Sequence, residues 1–133
     1  RDAVLRELED KRRLGLNPGW PRGHVAIDMM EETPIERLSA DPSMLWVAYG
    51  YRPRVSAQPP ADEGRRAPEG YAYIFPKREH VNVGIGYVLD HFKQDVTARP
   101  YDLQRGFIEF LRQRGVIRGD SVRENFTPFI IPV

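Results

Sequence analysis

The residue types that could do chemistry are few and dispersed. Three histidines, His24, His80 and His91, stand nowhere at i, i+3 or i+4 from one another, so a metal site would need Asp or Glu ligands brought in by the fold. Solvated histidines are the better account, and no metal is expected. The chain has no cysteine, which excludes a thiolate nucleophile, a disulfide framework and cysteine-ligated zinc or iron–sulfur. Ser39, Ser43, Ser56 and Ser121 lack the glycine-flanked elbow of a hydrolase nucleophile. Glu31-Glu32 reads as an exposed strand end rather than an acid/base pair. Gly84-Ile85-Gly86 opens like a dinucleotide fingerprint, yet it lacks the third glycine and sits inside a strand pattern instead of on a turn opening a helix. No Walker-type lysine loop is present either.

What stands out is an aromatic and glycine pattern. Tyr71, Tyr73 and Phe75 alternate along one strand, and Gly84 and Gly86 clear one face of the next. A glycine within a strand sacrifices packing and backbone entropy, so two at alternate positions imply that something approaches the backbone closely. Either aromatic rings from a neighbouring strand or helix fill that space, or a flat cofactor or unsaturated chain does.

The elements that must position these residues follow from periodicity. Residues 1–14 carry Val4, Leu5, Leu8 and Leu14 among charges of both signs, which predicts an amphipathic helix stopped near Gly15. Residues 16–23 hold two prolines and two glycines and form a connector. Val25, Ile27 and Met29 alternate with Ala26, Asp28 and Met30, a strand ending near Glu31 and Glu32 and broken by Thr33-Pro34. Residues 35–42 suit one helical turn. Residues 44–49 are apolar throughout, which predicts a strand buried on both faces or nearly so. Residues 52–70, with four prolines and almost no large apolar side chain, predict a mobile loop.

Pro76 ends the aromatic strand because it cannot donate to a ladder. After a polar turn over residues 77–80, Val81, Val83, Ile85, Tyr87 and Leu89 share one face of the next strand, completing a hairpin. From Tyr101 onward, Leu103, Phe107, Phe110 and Leu111 follow the spacing of a core-facing helix that Gly115 can cap. Residues 126–133 regain strand character, punctuated by Pro128 and Pro132. The fold class is therefore α+β, with a mixed or antiparallel sheet and flanking helices.

The 133 residues fit a single domain, 1–133. Twenty Lys and Arg against nineteen Asp and Glu leave a net charge of +1, so no global field recruits nucleic acid or an anionic membrane. No apolar run approaches the ~18 residues of a membrane span, and no signal-peptide layout opens the chain, so a soluble chain is expected. It begins at Arg1 and ends on the apolar stretch Phe129-Ile130-Ile131-Pro132-Val133, and both ends are expected to be cuts within a larger protein.

Gly70-Tyr71-Ala72-Tyr73-Ile74-Phe75-Pro76-Lys77, followed by Val81-Asn82-Val83-Gly84-Ile85-Gly86, resembles the signature of the geranylgeranyl reductase family of flavoproteins. In that family a Tyr-x-Trp-x-Phe-Pro stretch precedes Gly-x-Gly by seven or eight residues, and here Lys77 to Val83 make seven. Tyr73 departs from the pattern, standing where the family usually has Trp, which alters the width of a pocket and adds a hydroxyl. The stretch from His24 to Glu32 resembles the strand opening the same region in these enzymes, and the stretch from Phe126 to Pro132 resembles the approach to their second FAD-binding segment. The resemblance spans residues 12–133, though only the hairpin is distinctive.

The family is similar in architecture to the p-hydroxybenzoate hydroxylase type. The resemblance implies that this chain is the central substrate-binding part of an FAD-dependent oxidoreductase that reduces prenyl double bonds. The glycine-rich loop and the later Gly-Asp segment that hold FAD are missing from the chain, so FAD is expected in the parent protein and not on this fragment. The resemblance casts Tyr71, Tyr73, Phe75, Pro76, Gly84 and Gly86 as cavity residues for an isoprenoid substrate or the flavin, with no catalytic residue assigned. The implied partners are that substrate and the missing FAD domain, together with self-association through exposed apolar surface; the implied location is cytoplasmic, free or peripheral to a membrane. Two alternatives stay open: a flavoprotein with another substrate, such as a hydroxylase or halogenase, and a non-enzymatic module binding an apolar ligand or partner.

Overall fold

The computed structural model describes residues 24–51, 70–90, 92 and 98–132. The expected helix over residues 1–14, the connector at 16–23, the loop over 52–69 and His91 lie outside the described residues. Five strands form one sheet: β1 (Val25–Pro34), β2 (Trp46–Tyr49), β3 (Gly70–Pro76), β4 (His80–Val88) and β5 (Phe126–Pro132). Their order across the sheet is β2-β3-β4-β1-β5, and every neighbouring pair is antiparallel. Helix α1 (Pro100–Gln113) packs on one face. The domain is α+β, and the sheet is purely antiparallel.

The alternation of side chains along each strand sorts the sheet into two faces. On the helix side lie Met29 of β1, Ala72 and Ile74 of β3, and Val81, Val83, Ile85 and Tyr87 of β4, all buried. Helix α1 meets them with Leu103, Phe107 and Leu111, as its spacing predicts, and also with Gln104 and Ile108. Pro100 opens the helix where a missing N–H matters least, and Gly115 stops it with φ +68°. Phe110 lies at the margin of the core, half-buried, under the Arg114 guanidinium 3.6 Å from its ring centroid. Gln104 is fully buried and donates from Nε2 to the Val83 carbonyl at 2.8 Å.

Several local expectations need correction. Residues 46–49 form the edge strand β2 and are not buried: Trp46 is 49% exposed and Tyr49 85%. The strand pairs only with β3, and α1 packs over β1 and β4, so its apolar character found no second layer among the described elements. Strand β1 does not stop at Glu32 but runs through Thr33 to Pro34, whose absent N–H falls at the strand end. Strand β4 stops at Val88, leaving Leu89 beyond it. Pro128 and Pro132 are accommodated because β5 is the other edge.

Glu31 departs most from its expected role. It is not exposed but entirely buried, on the helix side of β1. Its carboxylate accepts from the Ser121 hydroxyl at 2.6 Å and the Val122 N–H at 3.0 Å, with the Arg37 guanidinium at 3.7 Å. Arg37 also donates to Thr33 Oγ1 at 2.7 Å and to the Arg118 and Asp120 carbonyls at 2.6 and 2.5 Å. Backbone bonds from Ser39 N–H to the Val116 carbonyl and from Arg118 N–H to the Arg37 carbonyl complete the tie between the segment after α1 and the segment after β1.

Truncating a buried ion-paired group strands its partners without compensation. Glu31→Ala should therefore lower unfolding stability by about 3 kcal/mol, and Ser121→Ala by about 1 kcal/mol, in urea denaturation. Equal and negligible losses would show that the tie contributes nothing.

Candidate functional site: an aromatic sheet face with a buried acid

The second face of the sheet, away from α1, gathers the aromatic residues. Strand register sets Tyr49, Tyr71, Gly86, Asp28 and Phe129 in one row across all five strands. The next row holds Val47, Tyr73, Gly84, Met30 and Thr127, and a third holds Phe75, Asn82 and Glu32. Residues directly opposite in antiparallel strands project to the same side, so these rows are contiguous on one face of the sheet.

The two glycines serve different ends. The Tyr73 ring lies over Gly84, so a Cβ at Gly84 would collide with its Cζ, Cε1 and hydroxyl. That ring stacks on Phe75 with centroids 4.3 Å apart and 27° between planes, and Tyr71 follows at 5.7 Å. Crossing Gly84 diagonally carries the Tyr73 hydroxyl to β1, where it donates to Asp28 Oδ2 at 3.0 Å. The space over Gly84 is thus filled from within the sheet. At Gly86 a Cβ would meet Asp28 Oδ1 at 3.4 Å, Tyr71 Cε1 at 3.5 Å and the Ile27 carbonyl at 3.7 Å, which is ordinary contact.

Asp28 is only 9% exposed, and its Oδ1 has no hydrogen-bond partner among the described residues. Burial raises the pKa of its carboxyl, with the Tyr73 hydrogen bond opposing that shift in part. Burial and the neighbouring Asp28 charge together push the Tyr73 hydroxyl far up, and they raise Tyr71 as well. Neither tyrosine ionises near neutrality. Along the third row a polar cluster borders the aromatics. With its amide oriented to satisfy both ends, Asn82 donates to Glu32 Oε2 at 3.0 Å and accepts from Lys77 Nζ at 3.1 Å, while His80 Nε2 stands 3.1 Å from the same Glu32 oxygen.

Of the residues singled out by sequence, Tyr71, Tyr73, Phe75, Gly84 and Gly86 meet on this face. Pro76 does not: its register partner is Val81 and that residue's is Thr33, a row on the helix side. Successive residues of a strand alternate faces, so the proline following Phe75 had to fall there. Sequence reading missed Asp28. Its alternation against Ile27 and Met29 already set it on the face away from the core, but only the β1–β4 and β3–β4 registers bring it under Tyr73. Among the described residues no group of three or more His, Asp or Glu could hold a metal ion.

Tyr71 and Phe75 are half-buried on this face, Tyr73 between them is buried, and Asp28 adds one desolvated carboxyl. The half-buried rings are the part of this face that can make apolar contacts.

Gly84→Ala should cost about 2 kcal/mol, because the new methyl expels the Tyr73 ring and breaks its bond to Asp28. Gly86→Ala should be near neutral in the same thermal or urea measurement, and an identical loss at both positions would contradict this geometry. Asp28 gives a pH signature. Because its folded pKa lies above the ordinary 3.8, the folded state keeps a proton that the unfolded chain releases. That contribution to stability is complete below 3.8 and disappears as pH rises through the raised folded value. Relative to wild type, Asp28→Asn should flatten stability across that window in denaturation curves taken at stepped pH.

Comparison of the chain with protein-family models and with curated protein sequences finds no match to either.

Proposed function

We propose that this chain is the substrate-binding part of an FAD-dependent oxidoreductase resembling the geranylgeranyl reductases, in which reduced flavin reduces prenyl double bonds. The supporting observation is the row of Tyr71, Tyr73 and Phe75 on the sheet face away from α1, each ring in contact with the next. Tyr71 and Phe75, half-buried on either side of the buried Tyr73, would offer apolar contacts to an unsaturated hydrocarbon chain, and the neighbouring glycine at 86 keeps the backbone low beside them. The described residues do not fit the phosphates of FAD: α1 begins at Arg99-Pro100 with no glycine-rich turn before it. The dinucleotide is therefore assigned to a separate FAD-binding domain, and this chain's part is to bind and orient the alkene and exclude water. Exposed Met44, Leu45, Trp46 and Tyr49 around β2 are where self-association would begin.

One observation favours a second reading. The Tyr73 ring already occupies the space over Gly84, so a self-sufficient, non-enzymatic module for an apolar ligand or partner accounts for that glycine without a flavin.

The visible absorption spectrum of the uninterrupted parent protein separates the two. The reductase reading requires a flavin spectrum that a reductant bleaches and a prenyl alkene restores, with Tyr71→Ala weakening alkene binding about tenfold. A folded, colourless parent would leave the binding module.

A further inference from the structure

The two edges of the sheet differ in what they offer a further strand. Proline in an edge strand turns its nitrogen to solvent, where no ladder bond is lost, so Pro128 and Pro132 remove two of the three outward donors that residues 128, 130 and 132 of β5 would supply. Edge β2 carries no such guard: residues 43–51 hold neither a proline nor a charge. The Gly50 N–H donates to the Gly70 carbonyl at 3.0 Å, continuing the β2–β3 register by one residue. Bonded residues alternate along an antiparallel strand, so Ala48 and Trp46 also turn their backbone groups to β3, while Val47 and Tyr49 turn theirs outward. Among the described residues no hydrogen bond reaches those outward groups.

The side chains are as open as the backbone, since all four residues of β2 are exposed. Trp46, 49% exposed, and Tyr49, 85% exposed, together present about 300 Å² of side chain to solvent. That is over a third of the roughly 800 Å² that each partner gives to a stable interface. Met44, Leu45 and Val47 are exposed beside them. A partner able to use this edge is an extended, uncharged, apolar strand, and β2 is itself one. Laid antiparallel on a second copy with a two-fold axis at Val47, the strand sets Val47 opposite Val47, Leu45 opposite Tyr49 and Trp46 opposite Ala48. Outward backbone groups then meet outward backbone groups, the indole meets the smallest side chain of the strand, and no like charges are opposed. An axis one residue further on, at Ala48, would draw Gly50 into the ladder, where its φ of +69° departs from strand geometry.

We propose that β2 is a dimer edge through which two copies of this chain join antiparallel about Val47, making one continuous sheet of their two five-stranded sheets. Because β5 is guarded, pairing closes at two copies instead of growing into a fibre. The inference rests on the self-association assigned above to β2 and makes no use of the flavin. A colourless parent protein leaves the dimer standing, and a monomeric chain leaves the flavin reading standing.

Sedimentation velocity of the chain over a series from micromolar to millimolar concentration should show monomer and dimer alone. Amide exchange should follow the same equilibrium residue by residue: Val47 and Tyr49 gain protection as the dimer fills, whereas Ala48, bonded to β3, is protected throughout. Val47→Lys, which sets two ammonium groups face to face at the axis, should weaken dimerisation about a hundredfold. An equimolar mixture with Val47→Glu should restore it as a heterodimer. Val47 is exposed, so both variants should keep the circular dichroism of the wild type, and the exchange measurement needs neither of them. A wild-type chain that stays monomeric over the whole series would overturn the proposal, as would a dimer that survives Val47→Lys or assembly that continues past two copies. Protection of Val47 and Tyr49 that does not depend on concentration would overturn it too, by giving the edge to another part of the chain.

Discussion

Burying two carboxyl groups on one strand is the constraint around which this structure is arranged. Asp28 and Glu31 lie three residues apart on β1, an odd separation, so the pleat sends them to opposite faces. Neither can keep its hydration shell, and each face must therefore bring its own polar groups to a strand otherwise surrounded by apolar neighbours. On the helix side the answer is a dense set of bonds. On the other it is a single tyrosine hydroxyl.

The helix-side solution organises the chain at long range. Glu31 draws Ser121 and Val122 onto β1 from ninety and ninety-one residues away in sequence, and Arg37 clasps the carbonyls of Arg118 and Asp120. These contacts, together with buried Ile117 and its bridge to Leu38, fix the path of the segment between α1 and β5. Once that path is set, β5 can reach β1 and close the sheet edge. Hydrophobic burial under α1 supplies the driving force, while the Glu31 tie selects the course the chain takes.

The other face trades rigidity for chemical opportunity. Tyr73 spans β4 by crossing Gly84, so a glycine that looks vacant in sequence is a bearing surface for a ring. This coupling makes Gly84, Tyr73 and Asp28 one unit, in which each residue's role requires the other two. Gly86 is excluded from that unit, and the carboxyl oxygen beside it has no partner among the described residues.

The amino-acid pattern alone determined the parts that depend on nearest neighbours. The core stripe of α1 with its glycine stop, the β3–β4 hairpin, the alternation of β1 and the common face of Tyr71, Tyr73 and Phe75 follow from periods of 3.6 and 2 and from where proline and glycine fall. Tertiary structure decided whatever depends on which strand lies beside which. Residues 46–49 are apolar enough for an inner strand, yet became an exposed edge because pairing order is not written in local hydrophobicity. Glu31 looked like a solvated strand end because its partners Ser121 and Val122 are remote in sequence. Asp28 became part of a site only when register set Gly86 opposite it and Tyr73 across from Gly84, since hydrogen bonding and desolvation act through distances in space that spacing along the chain does not encode.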